Sequence, residues 1–285
     1  MDTTAYPTTP PGWTPVARRS IGPFTTHVTY RRSDGSNLEW SSRSHRKHAS
    51  RLSRAHRREF TLWAPRQASW WIAILFAAGS ACFLVAPFPG FLQLVGPAVD
   101  GMVFFVGSLL FTSAAFLQWL ETINANRGPE PTARQRLRLR LLSFEPHRID
   151  WWSSGIQLLG TLFFNATTFR ALQTGLESPS YDRAVWRPDA LGSVCFLVSG
   201  YLAYVEVSGH LFGRPHRTLE SVIVTVNLLG CLAFGVSAVA SYVVPSTDSA
   251  VSLTLVNLCT ALGALCFLVG ALLLLPEGAP RSRSS

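Results

Sequence analysis

Beyond about residue 67 the polar and apolar positions stop mixing. Six long apolar runs follow, at approximately 68–88, 100–120, 151–172, 189–207, 221–243 and 252–275. A helix needs roughly 20 mostly apolar residues to cross a bilayer. A soluble core helix of that length would carry a polar face at 3.6-residue spacing, and these runs carry only scattered polar side chains. The pattern predicts an all-α integral membrane protein of six transmembrane helices, spanning 67–277, with short cytoplasmic residues 278–285 after it. Residues 1–66 read as a basic tail. Its first 23 residues are rich in Thr, Pro and Ser, which predicts disorder, and a small β-hairpin is expected at 25–41, turning at Asp34-Gly35.

A short motif recurs inside the runs: glycine, a small residue, two fillers and phenylalanine. It appears as Gly79–Phe83, Gly107–Phe111, Gly160–Phe164, Gly192–Phe196, Gly230–Phe234 and Gly263–Phe267. Trp70-Trp71 and Trp151-Trp152 begin nine residues before the glycines of the first and third runs. Glu121, Glu206 and Glu277 each lie 14 residues after the glycines of the second, fourth and sixth. These spacings predict three repeated helical hairpins, at 68–121, 149–207 and 219–277. Residues four apart sit about 40° apart on a helix, so each glycine and its phenylalanine share a face. Lipid gives helices no hydrophobic reason to associate, and small residues that let backbones approach supply the contact. The motif is therefore expected to pack helices, around a pseudo-threefold axis along the membrane normal.

Charge adds orientation. Of the 25 Lys and Arg residues, 12 precede the first run, six lie between the second and third, two follow the fourth and two end the chain. Only Arg170, Arg183 and Arg187 fall on the other side. Basic residues stay cytoplasmic, which predicts a cell-membrane protein with both termini inside. The formal net charge of +9 is then topology first, and nucleic-acid binding is not expected. The densest cluster, 43–58, holds Arg43, Arg46, Lys47, Arg51, Arg54, Arg57 and Arg58. Next to a span it is expected to contact anionic phospholipid headgroups, at roughly 1 kcal/mol per basic residue.

Chemistry is sparse. All seven histidines lie outside the runs, no pair of aspartates sits within them, and no phosphate-binding or dinucleotide fingerprint occurs. No enzyme, metal or cofactor is expected. The five cysteines lie inside the runs, three of them at the fourth place of the motif, and read as small packing residues. Intramembrane polar residues bond neighbouring helices or line a cavity, which makes Gln157, Asn165, Asn227 and Asn257 candidates. Gln157 and Asn227 stand three residues before their glycines, where the first repeat has Phe76. Glu121, Glu206 and Glu277 are candidates for a cytoplasmic gate or ring, with Arg127, Arg148, Arg214 and Arg217 placed to neutralise them.

The tandem apolar hairpins with G-S-x-x-F, the stretch WWIAILFAAGSACF and the segment RIDWWSSGIQLLGTLFFN resemble the YrhK-like membrane domain, a two-helix bacterial module, in its multi-hairpin actinobacterial form. The resemblance covers about 66–277 and implies a membrane location with no known activity. The expected function is a membrane scaffold or accessory subunit with a lipid-binding tail, in contact with a membrane-protein partner or with further copies of itself. The alternative is a small-solute or ion transporter or channel along the pseudo-threefold axis.

Overall fold

The computed structural model describes residues 9, 11–42, 65, 67–125, 140–173, 178–211, 218–247 and 249–277. A three-stranded antiparallel sheet, β1 Thr14–Ile21, β2 Phe24–Arg31 and β3 Asn37–Ser41, comes first. The helices are α1 Ala68–Val85, α2 Pro89–Val95, α3 Pro97–Ile123, α4 Ile149–Ala171, α5 Ser178–Tyr181, α6 Arg187–Ser208, α7 Leu219–Ala240 and α8 Leu253–Glu277. A π-helical turn, Asp182–Trp186, leads into α6, and a two-stranded ribbon, β4 Val243–Val244 and β5 Ser249–Ala250, joins α7 to α8.

Five of these helical segments, α1, α3, Asp182–Ser208, α7 and α8 to Leu275, are long and apolar enough to cross a membrane. Large apolar side chains such as Leu109, Val194, Leu229 and Leu262 stand exposed along their outer faces. Such a surface suits lipid and not water, and the chain is a membrane protein. The fourth helix in the series, α4, is also 23 residues long but carries Asp150, Ser153, Ser154, Gln157, Asn165 and Arg170.

Each long helix packs against two others, and the order closes on itself: α1–α3–α4–α6–α7–α8 and back to α1. Three of these contacts, α1 with α3, α4 with α6 and α7 with α8, use one geometry. A Cβ added at Gly79 would lie 2.6 Å from Phe111 Cδ2, and one at Gly107 would lie 3.2 Å from Phe83 Cδ2 and 2.8 Å from Cys82 Cβ. Gly160 meets Phe196 at 2.8 Å and Cys195 at 2.9 Å, while Gly192 meets Phe164 at 3.1 Å. Gly230 meets Phe267 and Cys266, both at 3.1 Å, and Gly263 meets Phe234 at 3.0 Å. Each glycine is the seat of its partner helix's phenylalanine, reciprocally. The cysteine at the fourth place faces the same seat, being about 60° from its own glycine around the helix.

The second place of the motif lies about 100° from the glycine and so turns to the other neighbour. Ser108 on α3 bonds Thr168 on α4 at 2.9 Å. Ser193 on α6 donates to the Phe234 carbonyl on α7 at 3.5 Å, and Cys231 on α7 presses its Sγ towards Gly200 on α6. One five-residue word thus serves both contacts of a helix in the ring.

The sheet departs from expectation. Thr14–Ile21 is a strand where disorder was predicted, and the 25–41 hairpin is its continuation. Strand β1 is exposed along almost its whole length, so it has no apolar alternation to read. Its order comes from pairing with β2, from Thr14 opposite Arg31 to Ile21 opposite Phe24. Gly22 turns the chain at φ 56° and Gly35 at φ 80°. Val28, Tyr30 and Trp40 form the small core, with Trp13 against Tyr30 and the Arg32 guanidinium 4.9 Å from the Trp13 ring.

Overpacking a tight seat costs about 1–3 kcal/mol. Gly107→Ala and Gly160→Ala, whose new methyl would meet a cysteine Cβ held by its own backbone, are expected to lower the melting temperature in detergent. Gly230→Ala, with its closest contacts at 3.1 Å, should cost less. Equal melting of all three variants and the wild type would contradict the seating.

Candidate functional site

The six motif phenylalanines meet on the axis of the ring. Phe111, Phe196 and Phe267 touch one another, with ring centroids 6.5 Å apart for Phe111–Phe196 and 5.8 Å for the other two pairs. All three are buried. Phe83, Phe164 and Phe234 flank them: Phe234 lies 6.2 Å from both Phe83 and Phe164, and the within-pair contacts range from 4.9 Å for Phe164–Phe196 to 5.7 Å. Six rings, some edge to face and others tilted, fill the centre of the bundle.

A cavity opens on each side of this plug. The sheet-side cavity, about 110 Å³, is lined by Phe76, Gln157 and Asn227, the three residues that stand three places before their glycines. Gln118 on α3 donates to Gln157 on α4 at 3.0 Å. Asn227 lies over Gly270, where any Cβ would collide with it, and its buried Oδ1 has no hydrogen-bond partner among the described residues. Glu121 and Glu206 line the same cavity. Glu206 is 3% exposed and accepts a hydrogen bond from the Ser42 hydroxyl, so the end of the sheet rests on this mouth. The side chain of Glu277 and the basic residues Arg43, Arg46, Lys47, Arg51, Arg54, Arg57 and Arg58 lie outside the described residues.

Arg148 is engaged elsewhere than the sequence suggested. It stands just before α4, and its guanidinium grips Asp150 through two hydrogen bonds, of 3.1 and 2.6 Å, and Glu145 through one of 2.8 Å. All three side chains are buried. Asp150, two residues on, and Glu145, three residues back, hold the guanidinium from both sides. The spacing Glu145-x-x-Arg148-x-Asp150 was the signal, overlooked because charge was read by side of the membrane. Arg127, Arg214 and Arg217 lie outside the described residues.

The far-side cavity, about 230 Å³, has mainly apolar walls in which aromatic rings alternate with hydroxyl and amide side chains. Asn257 lines it, as do Ser108, Thr168 and Thr260, while Asn165 lines neither cavity and keeps a buried Oδ1 without a partner among the described residues. Two residues not singled out in the sequence, Tyr181 and Asp189, also line it. The π-helical turn is held across this end: Trp186 donates to the Ala238 carbonyl at 2.8 Å, and Thr167 to that of Val185 at 3.3 Å. Burial first, then the Asp189 and Asp182 carboxylates, push the Tyr181 phenol above its ordinary 10.0, so it stays a neutral donor.

Comparison with known proteins finds no family model, no curated protein and no solved structure that matches the chain.

Removing the base from a buried ion pair costs about 3–5 kcal/mol, because the acid stays behind uncompensated. Arg148→Met should therefore destabilise the protein strongly in thermal melts, and Asp150→Asn added to it should restore part of the loss. A second expectation concerns His27 in β2. Burial lowers its pKa from the ordinary 6.5, with Arg19 acting the same way and Glu39, Glu206 and Glu220 opposing. The unfolded sheet then takes up a proton before the folded one does, so stability falls as pH drops below that value. Amide exchange in β2 and β3, corrected for intrinsic rates, should quicken between about pH 7.5 and about pH 5.5, and His27→Gln should flatten the change.

Proposed function

We propose that the chain is a six-span membrane protein of three repeated hairpins, with both termini cytoplasmic, that passes a small solute or ion along its pseudo-threefold axis. In this reading α4 is the sixth span. Its polar residues Asp150, Ser153 and Ser154 are buried while Leu159, Leu162 and Phe169 are exposed, so its lipid face is as apolar as the others. Its kinship with the YrhK-like hairpin rests on the residues quoted for it. The observation that carries the transport reading is the pair of cavities, with polar lining, on either side of one aromatic constriction. Polar groups inside a bilayer are expensive and mark pathways, and apolar constrictions gate by excluding water. The plug holds the path shut in the form described.

A second reading, a scaffold or accessory subunit anchored by the basic tail to anionic lipid, is favoured by the same plug, since a packed axis conducts nothing. Flux separates the two. Wild-type proteoliposomes should be tight to small cations, and Phe196→Ala, which removes the ring lining both cavities, should raise flux clearly. A Phe196→Ala variant that still unfolds cooperatively, at a lower temperature than the wild type, and stays tight would overturn the transport reading. The topology has its own check: a reporter fused after Ser285 should be active only in the cytoplasm.

A further inference from the structure

We infer that the far-side cavity is a binding site for a compact organic cation, such as a quaternary ammonium or protonated amine. The cavity combines the two features that such a ligand needs. Aromatic rings surround it: Phe83, Phe104, Phe164 and Phe234 from four helices, with Tyr181 and Trp186 at the far end. Their faces carry negative charge density that attracts a cation lying within about 6 Å of the ring centre. One carboxylate, Asp189, joins them.

The ordinary duties of an aspartate do not account for Asp189. It stands in the first turn of α6, where an acid often serves a helix N-terminus. Here there is no free N-terminus to serve, because the π-helical turn runs directly into α6 and Trp186 already has helical φ and ψ of −66° and −44°. Arg170, Arg183 and Arg187, the arginines at this end, line no part of the cavity, and Arg183 and Arg187 are exposed. Asp189 makes no hydrogen bond and no ion pair among the described residues. A carboxyl in a mainly apolar chamber either takes up a proton or pairs with a counter-charge, and an organic cation supplies the second.

The ligand class follows from what else lines the chamber. A small metal ion would ask for several charged or strongly donating ligands at fixed distance; beside Asp189 the walls offer one amide, Asn257, and neutral hydroxyls, with no second carboxylate, histidine or cysteine among the described residues. A neutral apolar solute would gain nothing from the carboxylate. A cation wrapped in methyl or methylene groups matches both the rings and the charge. Ser108, Thr168 and Thr260 add hydroxyls for a polar tail.

This site would lie on the path proposed above and would name its substrate class, so binding is measured at equilibrium, apart from flux. The probes are choline and its neutral isostere 3,3-dimethylbutanol, titrated calorimetrically against the purified full chain in detergent. Choline should bind and the isostere should bind far more weakly. Asp189→Asn keeps the volume and removes the charge, and should weaken choline by about tenfold or more while leaving the isostere unchanged. Phe104→Leu, which removes a ring and keeps an apolar wall, should weaken choline in the same direction. Equal affinity of wild type and Asp189→Asn for choline would overturn the site, as would equal binding of choline and the isostere. If choline fails to bind while Phe196→Ala still opens a flux, the site falls and the transport reading stands. If choline binds and the plug variant stays tight, the site stands and the transport reading falls.

Discussion

Everything in this bundle depends on a phenylalanine of one helix sitting where its partner has no Cβ. In water such a contact would be one of many ways to bury apolar area. In lipid it matters more, because the tails solvate leucine as well as another helix does, and only close complementary packing favours protein contact over lipid contact. The six glycines bring paired backbones near enough that an added Cβ at Gly230 or Gly263 would stand 3.1 Å from the other glycine's carbonyl. The residue after each glycine, turned by one helical step, makes the contact with the next pair.

The same geometry shapes the interior. Phenylalanines directed across their own pair converge on the axis, and six of them fill it. Above and below this level the inward positions differ. Towards the sheet they are Gln118, Gln157 and Asn227 with acidic neighbours; away from it they are aromatic rings and hydroxyls with Asn257 and Asp189. The plug is thus a by-product of how pairs assemble, and the two chambers take their different chemistry from residues that the packing motif leaves free.

Much of this was legible in the chain. Apolar runs located the helices to within a few residues, and glycine-to-phenylalanine spacing identified one face of each. Periodicity reports which residues share a face and not which helix that face meets, so the reciprocal seating and the central convergence of rings required the structure. Strand β1 escaped because its exposed side chains carry no alternation and its order lies in backbone pairing. Arg148 reads from the sequence as a partner of the ring glutamates, and its guanidinium bonds Asp150, two residues on, and Glu145, three residues back; net charge per loop does not report pairing inside one loop. Asp189 was missed because a single acid near a loop has an ordinary explanation, which only the uninterrupted helix at Trp186 removes.

The central claim is that glycine and phenylalanine act as a pair, and a double-mutant cycle between Gly160 and Phe196 tests it most directly. Phe196→Ala empties the space that the Gly160→Ala methyl would otherwise overfill. Thermal or chemical unfolding in detergent should then show the double variant to be more stable than the two single losses predict, by about 0.5–3 kcal/mol. The same cycle between Gly160 and Phe83, a phenylalanine seated on another pair, should be additive. Additivity in the Gly160–Phe196 cycle would contradict the account.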